Sequence, residues 1–205
     1  MFKDNSIEEF LAKTASKDPV PGGGSVAAFC GATACALASM VASLTVDNPK
    51  YREASMEMKD LVNTSSEHIG FFTEQMDADA HAFNRVIEAY RMPKSNEEQK
   101  DDRVRAIQQS LKQAAEVPMA VAEKAFGTMK MIETVVKKGN RQAVTDGAIA
   151  AMMARTAVLA ALYNVEINLK SIKDDGYRER MESRVEELRG KTAEAEELIL
   201  SMIKM

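Results

Sequence analysis

Within Met76-Asp77-Ala78-Asp79-Ala80-His81-Ala82-Phe83 the chain sets two carboxylates and one of its two imidazoles two residues apart. If this stretch is helical, Asp77 and His81 share a face four residues apart, and Asp79 is turned roughly 160° from each. The three cannot serve one site. Asp77 with His81 reads as a surface pair of small energetic weight. Asp79 is the better candidate for chemistry: a carboxyl drawn into a partly apolar cleft has its pKa raised and can exchange protons near neutrality.

A second polar group, Asn140, Asp146, Asn164 and Asn168, gathers around an otherwise apolar stretch. Asn164 and Asn168 are four apart and share a helical face, and each carries a donor and an acceptor that cannot be buried unpaired. Either they bond one another and neighbouring backbone, or they hold a polar heterocycle. Gly139-Asn140 also fits a helix C-terminal cap, and Thr145-Asp146 a cap for the next helix. Lys94 follows Pro93 close to Arg91, where local positive charge could meet a carboxylate-bearing ligand or simply face solvent.

The third feature is Pro19-Val20-Pro21-Gly22-Gly23-Gly24-Ser25, running into about twenty small uncharged residues that end near Thr45. Prolines stiffen its entry, and the glycines tolerate unusual backbone angles and let a ligand approach the main chain. If Gly24 or Ser25 caps the helix, unpaired N–H groups and the positive end of the helix dipole face the turn and suit an anion. The phosphate-loop and dinucleotide fingerprints are both absent. The competing reading is a tight connection that lets two helices pack closely.

These residues must be positioned by helices. Ser6 with Glu9 forms a capping-box pattern for a short first helix. The uncharged stretch to about Val46 reads as a second helix buried on all sides, in preference to a membrane span, because Gly, Ala and Ser make it only mildly apolar. Asn48-Pro49 opens a long helix that stops before Pro93, with an apolar stripe from Met58 to Tyr90. Ser95 and Glu98 suggest a capping box for a fourth helix reaching Gly139, with a kink expected at Pro118. A fifth, from about Val144 to Lys173, carries few charges and should be largely buried. The last, from Tyr177, has a narrow stripe of Met181, Val185, Leu188, Leu198 and Met202. The expected fold is all-α: one domain over 1–205, a bundle of long antiparallel helices with two largely buried ones, seeking a homodimer partner.

Composition closes off other classes. Among 205 residues with net charge −4, basic and acidic residues are interspersed, which argues against a nucleic-acid surface. Cys30 and Cys35 diverge on one helix and read as buried thiols in a reducing compartment; with two His and no Cys/His cluster a metal site is not expected. The N-terminus lacks the pattern of a signal peptide, so the expected location is cytoplasmic, with no membrane partner.

Several islands in register resemble the formiminotetrahydrofolate cyclodeaminase / methenyltetrahydrofolate cyclohydrolase family. They are Pro21 to Ser25, Asp79-Ala80-His81-Ala82-Phe83 followed by Glu88-Ala89-Tyr90-Arg91-Met92-Pro93-Lys94, Ala115-Glu116-Val117-Pro118, Gly139-Asn140 with Thr145-Asp146, and Tyr163-Asn164-Val165-Glu166-Ile167-Asn168-Leu169. The resemblance covers about Ile7 to Lys173 and implies an all-helical dimer acting on a tetrahydrofolate derivative, with no cofactor. The cyclodeaminase closes 5-formiminotetrahydrofolate to 5,10-methenyltetrahydrofolate and releases ammonia; the cyclohydrolase opens the methenyl compound with water to 10-formyltetrahydrofolate. On this resemblance Asp79 is the catalytic proton donor. Gly22, Gly23, Gly24 and Ser25 lie against the substrate, Asn140, Asp146, Asn164 and Asn168 hold the pterin or order the site, and Arg91 and Lys94 meet the glutamate tail. A non-catalytic helical binding or scaffold dimer is the remaining alternative.

Overall fold

The computed structural model describes residues 1–203, and among them every regular element is helical. The α-helices are α1 (Ile7–Thr14), α2 (Gly23–Val46), α3 (Ser55–Arg91), α4 (Glu97–Lys138), α5 (Val144–Leu169) and α6 (Asp175–Ser201). Short 3-10 turns at Phe2–Asp4, Pro49–Ala54 and Arg141–Ala143 join or precede them.

Local signals account for most boundaries. Ser6 and Glu9 form the expected capping box at α1, each side chain bonding the other's backbone N–H. Asn48 does cap the segment at Pro49, but that proline opens a 3-10 turn, and α3 begins only at Ser55. α4 is capped one residue later than its sequence suggests: Asn96, not Ser95, accepts the Gln99 N–H. α4 runs as one element through Pro118. α5 stops at Leu169, four residues short of the expected Lys173, and α6 starts at Asp175 because Asp174 accepts the Tyr177 N–H.

α2 and α5 pack side by side and antiparallel: Gly23 lies beside Asn164 at one end, and the Asn140 N–H reaches the Thr45 hydroxyl at 2.9 Å at the other. α3 and α4 flank this pair, and α6 closes over α4 and α5. One apolar cluster holds Phe10, Phe72, Met76, Leu162 and Val165 toward the glycine-loop end; a second holds Val41, Met58, Ile132 and Ile199 toward the other. On α6 it is Ile199 that is buried, while Leu198 is half exposed, a one-residue shift in the expected stripe.

Neither α2 nor α5 is buried on all sides. Met40 and Leu44 of α2 are 40% and 50% exposed, and Ile149, Met152, Tyr163 and Ile167 of α5 are 46–65% exposed. By length and composition alone α2 and the 141–169 stretch could each cross a bilayer. Here each buries one face against its neighbours and leaves an apolar stripe uncovered.

The seam between α2, α3 and α4 holds a small polar cluster. The Thr128 hydroxyl donates to the Lys124 carbonyl at 2.9 Å, leaving its lone pairs for His68 Nδ1 at 3.2 Å and Cys35 Sγ at 3.7 Å. Burial pushes the Cys35 thiol up to about 11, so it stays protonated and inert at neutral pH. Nearby, Gly31 lets the fully buried ring of Phe72 lie on the backbone of α2, since a Cβ at Gly31 would sit 2.6 Å from Phe72 Cε1. Gly31→Ala should cost about 1–3 kcal/mol through this overlap. The urea midpoint should fall with the slope unchanged; an unchanged midpoint would show that the ring has room to move.

Candidate active site

The glycine loop performs its task without unusual backbone angles. No glycine among the described residues has positive φ, and Gly22 is extended (φ −120°, ψ −156°). Gly22, rather than Gly24 or Ser25, is the N-cap of α2, and it offers no side chain to the orphan N–H groups. The missing cap comes from another helix. Asp79 of α3 accepts the Ser25 N–H through Oδ2 at 3.1 Å, and the Ser25 hydroxyl stands 3.3 Å from the same oxygen. That hydroxyl also donates to the Met76 carbonyl at 2.8 Å.

The approach requires glycine. A Cβ at Gly24 would overlap the Asp79 carboxylate, and one at Gly23 would press on Asn164 Nδ2 at 3.2 Å. Gly24 is thus a notch for Asp79. Ser25 is fully buried, so it holds the carboxyl and does not itself face the cleft. The two are brought to the site as supports of Asp79 rather than as ligand contacts.

Asp79 opens onto a cleft of about 310 Å³, a size suited to a small heterocyclic ligand. Pro19, Val20, Gly22 and Gly23 form its upper wall, Ala82, Phe83 and Val86 continue down α3, and Ala114, Asn164, Ile167 and Asn168 close it from α4 and α5. The Val20–Pro21 peptide is cis. Burial is the largest influence on Asp79 and raises its pKa, against the two Ser25 hydrogen bonds, which lower it. The carboxyl therefore keeps its proton to higher pH than an ordinary aspartate. A carboxyl with raised pKa in a half-apolar cleft is equipped to donate and recover a proton.

Other sequence candidates fall elsewhere. Asp77 is buried on the opposite face of α3, where Oδ1 accepts the Phe2 N–H; it makes no surface pair with the exposed His81. Arg91 ends α3, twelve residues beyond Asp79 or about 18 Å along the helix, and Lys94 lies in the loop beyond it. Neither lines the cleft. Asn140 caps the turn at Arg141 and bonds the Leu44 carbonyl and the Thr45 hydroxyl, so it sits at the C-terminal end of α2, roughly 30 Å along that helix from Gly24. Asp146, in the first turn of α5, belongs to that same end. Helices of this length separate groups whose motifs follow one another closely in sequence.

Asn164 and Asn168 do line the cleft, and they bond backbone, not each other's side chains. Asn164 Nδ2 donates to the Ala160 carbonyl at 2.8 Å, and Asn168 Nδ2 donates to the Asn164 carbonyl at 2.8 Å and the Ala114 carbonyl at 3.0 Å. The apolar wall was not evident from sequence. Phe83 and Val86 belong to the stripe of α3 that core packing also explains, and only the small residues Ala82 beside them and Ala114 on α4 leave room for a gap.

A family profile described as Formiminotransferase-cyclodeaminase matches residues 6–187, which takes in every element that builds the cleft. The chain belongs to this family. It is 36% identical over 195 residues to the methenyltetrahydrofolate cyclohydrolase of Methylorubrum extorquens, covering 95% of this chain and 92% of that one. It is 34% identical to the formimidoyltransferase-cyclodeaminase of Mus musculus over 90% of its own length but only 34% of the mouse protein, so it spans about a third of that relative. The crystal structure of formiminotetrahydrofolate cyclodeaminase from Thermotoga maritima superposes with a TM-score of 0.89 at 30% identity, covering 99% of this chain and 98% of that one.

The Asp79 environment has a consequence for stability. With its folded-state pKa raised above the ordinary 3.8, folding favours the protonated carboxyl; that contribution is complete below pH 3.8 and is lost as pH rises through the raised value. Asp79→Asn keeps the shape and never ionises. The stability of the variant relative to the parent should therefore increase upward from about pH 4 and level off once Asp79 is ionised. Urea midpoints across the acid and neutral range measure this, and a difference that is flat or shrinks with pH contradicts the burial argument.

Proposed function

We propose that this protein is a folate one-carbon enzyme acting at the carbon that bridges N5 and N10 of tetrahydrofolate. In the first reading it closes 5-formiminotetrahydrofolate to 5,10-methenyltetrahydrofolate. N10 attacks the formimino carbon, a tetrahedral carbon forms between two nitrogens, and the amine departs as ammonia once it has gained a proton. The observation that carries this reading is Asp79: one carboxyl, held by the Ser25 N–H in the Gly24 notch, with its pKa raised by burial at the head of a cleft of fitting size. A protonated Asp79 supplies the proton the leaving amine needs. The reaction moves protons and no electrons, and the folate is substrate, not cofactor.

The cyclohydrolase reading has specific support in the Methylorubrum extorquens relative, 92% of which the chain covers. There water adds to the methenyl carbon, a tetrahedral carbon bearing a hydroxyl in place of the amine forms, and its bond to N5 breaks as the hydroxyl loses its proton to solvent, leaving 10-formyltetrahydrofolate. An ionised Asp79 takes the proton of the incoming water and returns it to the departing N5. The polar wall of Asn164 and Asn168 suits the pterin in both cases. Turnover measured in parallel on 5-formiminotetrahydrofolate and 5,10-methenyltetrahydrofolate separates the two, and the absence of both activities contradicts the proposal. Asp79→Asn should reduce whichever turnover is present by about 10²-fold or more, with KM little changed.

We also propose that the protein works as a homodimer joined through the uncovered stripe of α2 and α5. Six large apolar side chains standing 40–65% exposed on two adjacent helices are more than a stable isolated chain needs on its surface, and a second copy offers the same stripe in return. A two-fold axis perpendicular to α2 and α5 through the middle of the stripe brings the Asn140–Asp146 end of one chain toward the cleft of the other. In that arrangement Asn140 and Asp146 complete a site they cannot reach within their own chain. Replacing Met40 and Met152 together by Asp should give a folded monomer in sedimentation; an unchanged dimer would place the interface elsewhere.

A further inference from the structure

Pro118 lies well inside α4 and lacks the N–H that would bond the carbonyl of Ala114 four residues earlier. That carbonyl is therefore released from the helical ladder, and Ala114 is one of the residues lining the cleft. The partner it takes is Asn168 of α5, whose Nδ2 donates to it at 3.0 Å and to the Asn164 carbonyl at 2.8 Å.

Both protons of the Asn168 amide are thereby committed to carbonyl oxygens. Turning the amide over would press Oδ1 against two acceptors, so its orientation is set by chemistry. No protein donor reaches Oδ1 among the described residues, and Asn168 lines the cleft. It offers the ligand an acceptor and no donor. A wall of this kind favours a ring N–H or amino group over a ring carbonyl or a bare ring nitrogen, and the reduced pteridine ring carries such N–H groups.

We propose that Pro118 is a positioning residue of this site: by freeing the Ala114 carbonyl it fixes the Asn168 amide so that Oδ1 accepts from an N–H of the folate ring. The ligand half rests on the folate reading above; the positioning half concerns the free protein alone. In Pro118→Ala the restored N–H competes for the Ala114 carbonyl, draws it back along the helix and loosens the amide. Exchanging proline for alanine inside a helix removes a helix breaker, so the variant should fold.

The test uses the full chain as wild type, Pro118→Ala, Asn168→Ala and the double variant. Calorimetry with 5-formyltetrahydrofolate gives Kd, steady-state turnover of the better substrate gives kcat and KM, and side-chain amide NMR of the free protein reports protection of the Asn168 NH2 group. The proposal expects Pro118→Ala to weaken binding and raise KM by about five- to tenfold, the size of one hydrogen bond, with kcat nearly unchanged. It also expects loss of Asn168 amide protection in Pro118→Ala, and a double variant no weaker than Asn168→Ala alone, since the two act through one contact. Protection retained in Pro118→Ala, wild-type affinity in that variant, or effects of the two substitutions that multiply would overturn it. If the wild type binds no reduced folate the folate reading fails and takes the ligand half with it, while the amide signal still judges the positioning half by itself.

Discussion

The site depends on one contact: the carboxyl of Asp79 on α3 seated against the first turn of α2. A helix N-terminus has N–H groups to satisfy, and Gly22 offers no side chain for the purpose. Asp79 satisfies one of them from outside the helix, and because Gly24 has no Cβ the carboxyl can come close enough to do so. The same closeness removes water from Asp79. Desolvation outweighs the two hydrogen bonds from Ser25, so the contact that ties α2 to α3 also holds the carboxyl in a state able to carry a proton. On the proposed mechanism, structural and chemical roles coincide in one residue.

The rest of the bundle serves that junction. α5 brings its two asparagines to the far wall of the cleft, and the long α4 is tied to α5 and α6 by links such as the Lys112–Asp174 ion pair at 2.6 Å. Small residues along α2 allow close approach at more than one level, Gly24 for Asp79 and Gly31 for Phe72. The buried Cys35 and Thr128 and the half-buried His68 bond through the Thr128 hydroxyl between the helices, which accounts for polar side chains in that seam without any catalytic duty.

Much of this was legible in the sequence, for physical reasons. The 3.6-residue period separated Asp79 from Asp77 and His81 and pointed to Asp79 as the residue for a cleft. Capping residues and prolines gave most helix ends to within a few positions. The purpose of the glycines was not legible, because conformational freedom and lack of bulk look alike in sequence; only the structure shows that none needs positive φ. Nor was the exposure of α2 and α5, since an apolar helix face looks the same whether its neighbour belongs to the same chain or another. The wide separation of Asn140 and Asp146 from Asp79 was hidden as well: motif order along the chain carries no distance, and a helix of the length of α2 sets its ends far apart.

The central claim is that Asp79 carries the exchangeable proton at the head of the folate cleft. The most direct measurement is a titration of the Asp79 carboxyl carbon by NMR, assigned by its loss in Asp79→Asn and followed with and without 5-formyltetrahydrofolate. The account predicts a midpoint above the ordinary 3.8 in the free protein and a further displacement of that signal when the folate binds. A midpoint at or below the ordinary value, insensitive to the folate, would contradict it.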